Sequence, residues 1–169
     1  MAKKKISADP NSIFQTAELF SKTVGLLDQA ISHGEFLVVP LIVNSAFTVE
    51  LYLKCLITIE NGGYGREHNL YNLFNLLSND SKKFITAKYN ELTSADPIVM
   101  AMKQHFNGVI KFDIVSVLKD IADAFIAYRY HFENSQKDGF ANSWNIRTAV
   151  KKRILDLKPN IGDVGNGGI

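Results

Sequence analysis

Apolar residues recur at every third or fourth position along most of this chain, and that period predicts helices rather than strands. Ile13, Ala17, Phe20, Val24, Leu27 and Ile31 mark the first helix, with Ser12 as its cap and His33-Gly34 as its stop. A second helix is predicted from about residue 35 to 61. It is apolar on most faces, as the buried centre of a bundle should be. Pro40 lies early in it and allows a kink or a slightly later start. Asn61-Gly-Gly-Tyr-Gly65 then reads as a loop. Asn69 caps a short helix carrying Leu70, Leu73, Phe74 and Leu77, and a further helix covers about Ser81 to Leu92. Ser94-Ala-Asp-Pro97 ends that helix. Residues 98–111 read as a short helix followed by a loop through Asn107-Gly108.

A long helix is predicted from about Asp113 to Asn134, with Ile114, Val117, Leu118, Ile121, Phe125, Tyr128 and Phe132 as its core stripe. The last helix runs from Ser143 to Leu157, with Ile146, Val150, Ile154 and Leu157 inward. No strand run, internal repeat or second core interrupts this series. The expected fold is an all-α antiparallel bundle of five to six main helices. Residues 12–158 form the bundle, residues 1–11 a flexible basic leader and residues 159–169 a Gly-rich disordered tail.

Composition narrows the setting. With 169 residues the chain can bury a single substantial core. A net charge of +2 is too small to argue for nucleic acid by itself. The only thiol is Cys55, so no internal disulfide is expected and a reducing cytoplasm is the simplest compartment. Its neighbours Leu53, Leu56 and Ile57 suggest a buried, inert thiol. Lys3, Lys4 and Lys5 imitate the start of an export signal, but Asp9, Pro10 and Asn11 follow instead of an apolar run. The stretch Phe36 to Ile59 is long enough to span a bilayer. It carries Glu50 and Lys54 at mid-span, a costly arrangement in lipid, so a central helix of a soluble bundle is expected and no membrane.

Those two charges are the first candidate chemistry. Glu50 and Lys54 are spaced i, i+4 in the favourable order. On a mostly buried helix each needs a partner to offset its desolvation. The pair either fixes helix register or orients another cation at a site. Arg129 is the candidate cation, since it lies only about 60° from the centre of the apolar stripe on its helix. Glu133 lies one turn beyond it, so Arg129 can brace against Glu50 or Glu133. His68, at the start of the short helix, can lock the Gly-rich loop or donate into the bundle.

The segment Ala46-Phe-Thr-Val-Glu-Leu-Tyr-Leu-Lys-Cys-Leu56, followed by Gly65-Arg-Glu-His-Asn-Leu-Tyr-Asn-Leu-Phe74, resembles the HEPN family of small prokaryotic helical bundles. The family pattern runs roughly A-x-E-L-x-L-K-A-L, then G-H-D-L-x-x-L-F. Asn69 stands here where that pattern has Asp, and Arg129, Tyr130 and Glu133 match a shorter R-Y-x-x-E element. The resemblance implies a HEPN-like fold over about residues 12–157. It also implies an RNA- or nucleotide-associated role in a defence or toxin–antitoxin system. Catalytic members are metal-independent endoribonucleases with an R-x(4–6)-H signature, in which the Arg stabilises phosphate charge and the His moves a proton.

Here the only histidine after Arg129 is His131, two positions on and about 200° round the helix. The two would diverge within one chain, so the nuclease motif reads as degenerate unless two protomers complete it. Arg129 and His131 are thus the candidate catalytic residues, with Glu50, Lys54, Glu133 and His68 as a supporting polar network. The resemblance further implies a homodimer, and RNA, a nucleotide or a nucleotidyltransferase-like protein as partner. A non-catalytic protein-interaction module is the competing reading.

Other motifs are missing. No His, Cys, Asp or Glu cluster has metal-ligand spacing, no phosphate loop is present and no cofactor is expected. His33 and His105 have no partner at motif spacing and read as surface or loop residues. Basic residues gather at Lys3–Lys5, Lys82, Lys83, Lys88 and Lys151–Arg153. Tyr89, Tyr130 and Trp144 could offer stacking faces beside them, a combination used by nucleic-acid surfaces. A solvated helix face explains the same residues.

Overall fold

The structure is a computed structural model and describes residues 5–106, 110–122 and 143–163. Every element among them is helical, apart from one isolated bridge between Ile6 and Tyr64. α1 (Pro10–Ser32) is capped by Asp9, not Ser12: the Asp9 carboxylate accepts from Asn11 N and Ser12 N, and Pro10 opens the helix where no N–H is needed. α2 (Val38–Asn61) begins just before Pro40, in the first turn that tolerates proline, and stops at Gly62 in the left-handed region. α3 (Leu70–Asn75) is capped by Asn69, as the sequence predicts.

α4 (Asn79–Ala95) starts two residues earlier and ends three residues later than its pattern indicates. Ser78 supplies its cap through Ser81 N. α5 (Pro97–His105) is the short helix expected near residue 98, and Asp96 caps it. α6 (Ile114–Asp120) is capped by Asp113. It ends at Asp120 with Ile121 as its C-cap, so the helix expected without a break over 113–134 is interrupted there; residues 123–142 lie outside the described residues. α7 (Ser143–Leu157) follows directly on residues outside those described and ends at Leu157, where the pattern predicts.

α2 is the central element. Val49, Tyr52, Leu53, Cys55 and Leu56 on it are fully buried. Burying one such aliphatic side chain contributes about 1.5–3 kcal/mol, so this row is the main apolar stabilisation of the bundle. α2 is long and apolar enough to cross a membrane, but 67% of its apolar window is buried inside the protein.

α1 packs antiparallel to α2. Phe20 meets Phe47, Phe14 meets Tyr52, and the Cys55 thiol donates to Pro10 O, so numbers fall on one helix as they rise on the other. α7 packs on α2 and runs antiparallel to α4, with Arg153 bonded to Ser81 at one end and Asn145 to Asp96 at the other. α3 is tied to the end of α6 by Leu70 N donating to Ala122 O at 3.1 Å.

Both ends of the described chain engage the bundle. Residue 6, inside the segment expected to be a leader, exchanges backbone hydrogen bonds with Tyr64 at 2.7 and 3.2 Å. Beyond α7 the chain turns through Pro159, and Ile161 is buried in the core, within the segment expected as a tail.

Candidate functional site

The αL stop at Gly62 and the bridge to Ile6 shape the loop after α2. At Gly63 a Cβ would lie 2.7 Å from Ile6 O, so only glycine admits this approach. Further on, Glu67 Oε1 accepts from His68 N and Asn69 N at 3.0 and 2.9 Å, while its Oε2 accepts from Asn72 Nδ2 at 3.1 Å. These bonds set the entry to α3 and turn the His68 imidazole back towards α2.

His68 Nδ1–H donates to Glu50 Oε1 at 2.8 Å. The same oxygen accepts from Lys54 Nζ at 2.7 Å. Glu50 and Lys54 side chains are 2% and 8% exposed, whereas that of His68 is 55% exposed. One carboxylate oxygen thus holds a buried ammonium and the ring of a surface histidine. The Lys54 ammonium also lies 5.2 Å from the centroid of the Tyr64 ring, a further attraction in this dry setting. Glu50 Oε2 is buried with no hydrogen-bond partner.

The structure therefore brings together Glu50, Lys54 and His68. Of the two roles the sequence offers for His68, the bond to Glu50 is donation into the bundle. Chemically, a carboxylate on Nδ1 fixes the tautomer and leaves Nε2 at the surface, the arrangement suited to proton transfer. The expected partners Arg129, His131 and Glu133 lie outside the described residues. Among the described residues no group of His, Cys, Asp and Glu is placed to hold a metal ion.

The basic and aromatic residues are sorted by packing. Tyr89 offers no stacking face: it is buried, and its hydroxyl donates to Phe112 O at 3.0 Å. Lys88 pairs with Glu91 on its own helix. Tyr130 lies outside the described residues. Consecutive residues on α7 part company. Arg153 turns to α4, where it bonds Ser81 and lies over the Phe84 ring, while Lys151 turns to α1 and pairs with Glu18 at 2.7 Å. His33 and His105 are exposed, as expected.

Arg147 was not singled out by the sequence and is the cation most deeply buried in the described residues, at 4% exposure. Its only signal was position, since Trp144, Arg147, Thr148, Lys151 and Leu155 share one face of α7 by helical spacing. Comparison with protein-family models, with curated proteins and with solved structures gives no match to this chain.

Proposed function

We propose that this chain is a HEPN-like, RNA- or nucleotide-associated protein of a prokaryotic defence or toxin–antitoxin system, with a degenerate nuclease motif. One observation carries the reading. The two segments that resemble the family, E-L-x-L-K on α2 and G-x-x-H-N-L before α3, close on each other through the bond between His68 and Glu50. Residues 18 apart in sequence thereby form one polar cluster at the edge of the core. A carboxylate-held imidazole with Nε2 at the surface suits a ligand that offers a hydroxyl or a phosphate oxygen. On the helix that the sequence predicts for them, Arg129 and His131 would lie about 200° apart, which argues against strong cleavage by a single chain. Homodimerisation belongs to the same proposal, as does a nucleotidyltransferase-like partner.

The test incubates purified protein with mixed RNA in EDTA, beside Arg129→Ala and His68→Ala variants. Weak or absent cleavage with retained RNA binding is the expected result. Cleavage that survives chelation and disappears in Arg129→Ala would make the protein an active metal-independent endoribonuclease. Absence of both binding and cleavage would leave the protein-interaction module. Light scattering at tens of micromolar tests the dimer, which needs an interface of about 1,000 Å² or more.

A further inference from the structure

A second cleft opens between α1, α2 and α7, away from Glu50 and His68. Its volume is about 380 Å³, within the usual range for small-molecule sites. Tyr52 of α2 lies at its side, and Trp144, Arg147, Thr148, Lys151 and Lys152 of α7 line the rest. Three of these are cations.

Arg147 is the unusual member. Its side chain is buried, and Nη1 has no hydrogen-bond partner. Burial pulls its pKa down, opposed by the charges of Glu18 and Asp28 and by Tyr52. A guanidinium nevertheless stays protonated in a protein. An unpaired donor on a buried cation is costly, and natural folds rarely keep one without a use. Neither Asp28 nor Glu18, whose charges act on the guanidinium, bonds Nη1. Glu18 accepts from the Tyr52 hydroxyl through one oxygen and pairs with Lys151 through the other, so its charge is already matched.

We propose that this cleft binds a nucleoside phosphate, with Arg147 and Lys152 holding the phosphate and Trp144 stacking on the base. The guanidinium is a planar fork that matches two phosphate oxygens at once. Its carbon lies 4.2 Å from the centroid of the Trp144 ring, which holds the fork in place. Half of the indole, 51%, remains exposed at the cleft, and an exposed indole beside cations is a stacking platform for a base. Lys152 is exposed and pairs with no acid among the described residues. An acidic peptide would use the cations but not the indole, so the nucleotide accounts for more of the lining. The inference goes beyond the proposed function: it needs neither the family resemblance nor any cleavage step. Two sources offer this chemistry, a free nucleotide and an RNA 5′ end, and the titration separates them.

Trp144 is the only tryptophan in the chain, so intrinsic fluorescence reports this cleft alone. The full-length protein is titrated with AMP, adenosine, inorganic phosphate, and a short oligoribonucleotide with or without a 5′-phosphate. Saturable quenching by AMP with a Kd below about 1 mM is expected, with adenosine and phosphate each at least ~10-fold weaker. Quenching by the 5′-phosphorylated oligonucleotide but not by AMP or the 5′-hydroxyl form would assign the same site to an RNA end. Arg147→Met should abolish the saturable change while raising the Tm of the free protein, because it removes a buried cation that carries an unbonded donor. Lys152→Ala, at an exposed position, should keep the fold and weaken AMP about threefold or more. No saturable response to any phosphate ligand would overturn the proposal. So would equal binding of adenosine and AMP, or unchanged binding in folded Arg147→Met. None of these results alters the cleavage assay at His68 and Arg129, so the two readings fail separately.

Discussion

His68 Nδ1 and Glu50 Oε1 lie 2.8 Å apart, joining a surface ring to a carboxylate in the core of α2. The same oxygen holds Lys54, so the three side chains share one acceptor. Loss of either outer partner leaves Glu50 a bond, whereas loss of Glu50 strands a buried ammonium. Glu50→Ala should therefore cost about 3–5 kcal/mol in urea unfolding. His68→Ala, at a half-exposed position, should cost only about 1 kcal/mol. Equal losses in the two variants would refute this ordering.

Alkaline pH should weaken the fold. Burial pushes the Cys55 thiol up from its ordinary 9.0 to about 12. Burial, and then the hydrogen bond and charge of Glu18, push Tyr52 well above its ordinary 10.0. In both cases the unfolded chain ionises first, so it holds fewer protons than the native state. Their stabilisation is complete below about pH 9 and declines above it, at a slope of up to about 1.4 kcal/mol per pH unit for each group. Urea midpoints at pH 8, 9, 10 and 11 measure this. A flat profile across that range is the contrary result, and Cys55→Val should remove the part of the slope that begins near pH 9.

The same burial predicts an inert thiol. Cys55 is fully buried, and its thiol donates to Pro10 O at 3.4 Å. An aromatic disulfide reagent at pH 8 should label it only through opening of the fold, at a rate that rises with urea. Labelling within the mixing time in native buffer would show the α1–α2 contact to be open.

Acid should weaken the start of α4. Burial pushes the Glu60 carboxyl up, but hydrogen bonds from Ser81 and from Ser78 N–H and hydroxyl, with the Arg153 charge, outweigh it and hold it below its ordinary 4.5. Its contribution is therefore present above about pH 4.5 and is lost as pH falls further. Ser78 Oγ also caps α4, so Ser78→Ala should cost about 1 kcal/mol at neutral pH. Glu60→Gln should flatten the acid limb of the stability profile. An acid limb identical to that of the parent protein would contradict the assignment.

Gly63→Ala should loosen the contact between residue 6 and the loop after α2. The backbone at Gly63 has φ +157°, and the added Cβ would press on Ile6 O. The strain is worth about 1–3 kcal/mol. Hydrogen exchange at Ile6 N and Tyr64 N should rise sharply in this variant while that of α2 barely changes. Unaltered exchange at both amides would mean the approach is not tight.

Helical spacing and composition by themselves pointed to the all-α fold and to α2 and Cys55 as buried, because a helix apolar on nearly every face must be surrounded, and they gave the Asn69 cap, which depends only on the next few residues. They also marked Glu50 and Lys54 as a buried pair, since two charges on so apolar a helix need each other. Local pattern misplaced the start of α1: the Asp9 carboxylate takes the amides of Asn11 and Ser12 and Pro10 opens the helix, so Ser12 falls inside its first turn. The tertiary structure alone decided which partner reaches Glu50. The histidine 18 residues on reaches it because the Gly62–Gly63 loop folds back against Ile6. Likewise Tyr89 reads as an aromatic beside lysines until packing buries it, and Arg147 reads as one more helix cation. Only the meeting of α1, α2 and α7 buries Arg147 with Nη1 lacking a hydrogen-bond partner, because burial is a property of the neighbours that surround a side chain and not of the side chain itself.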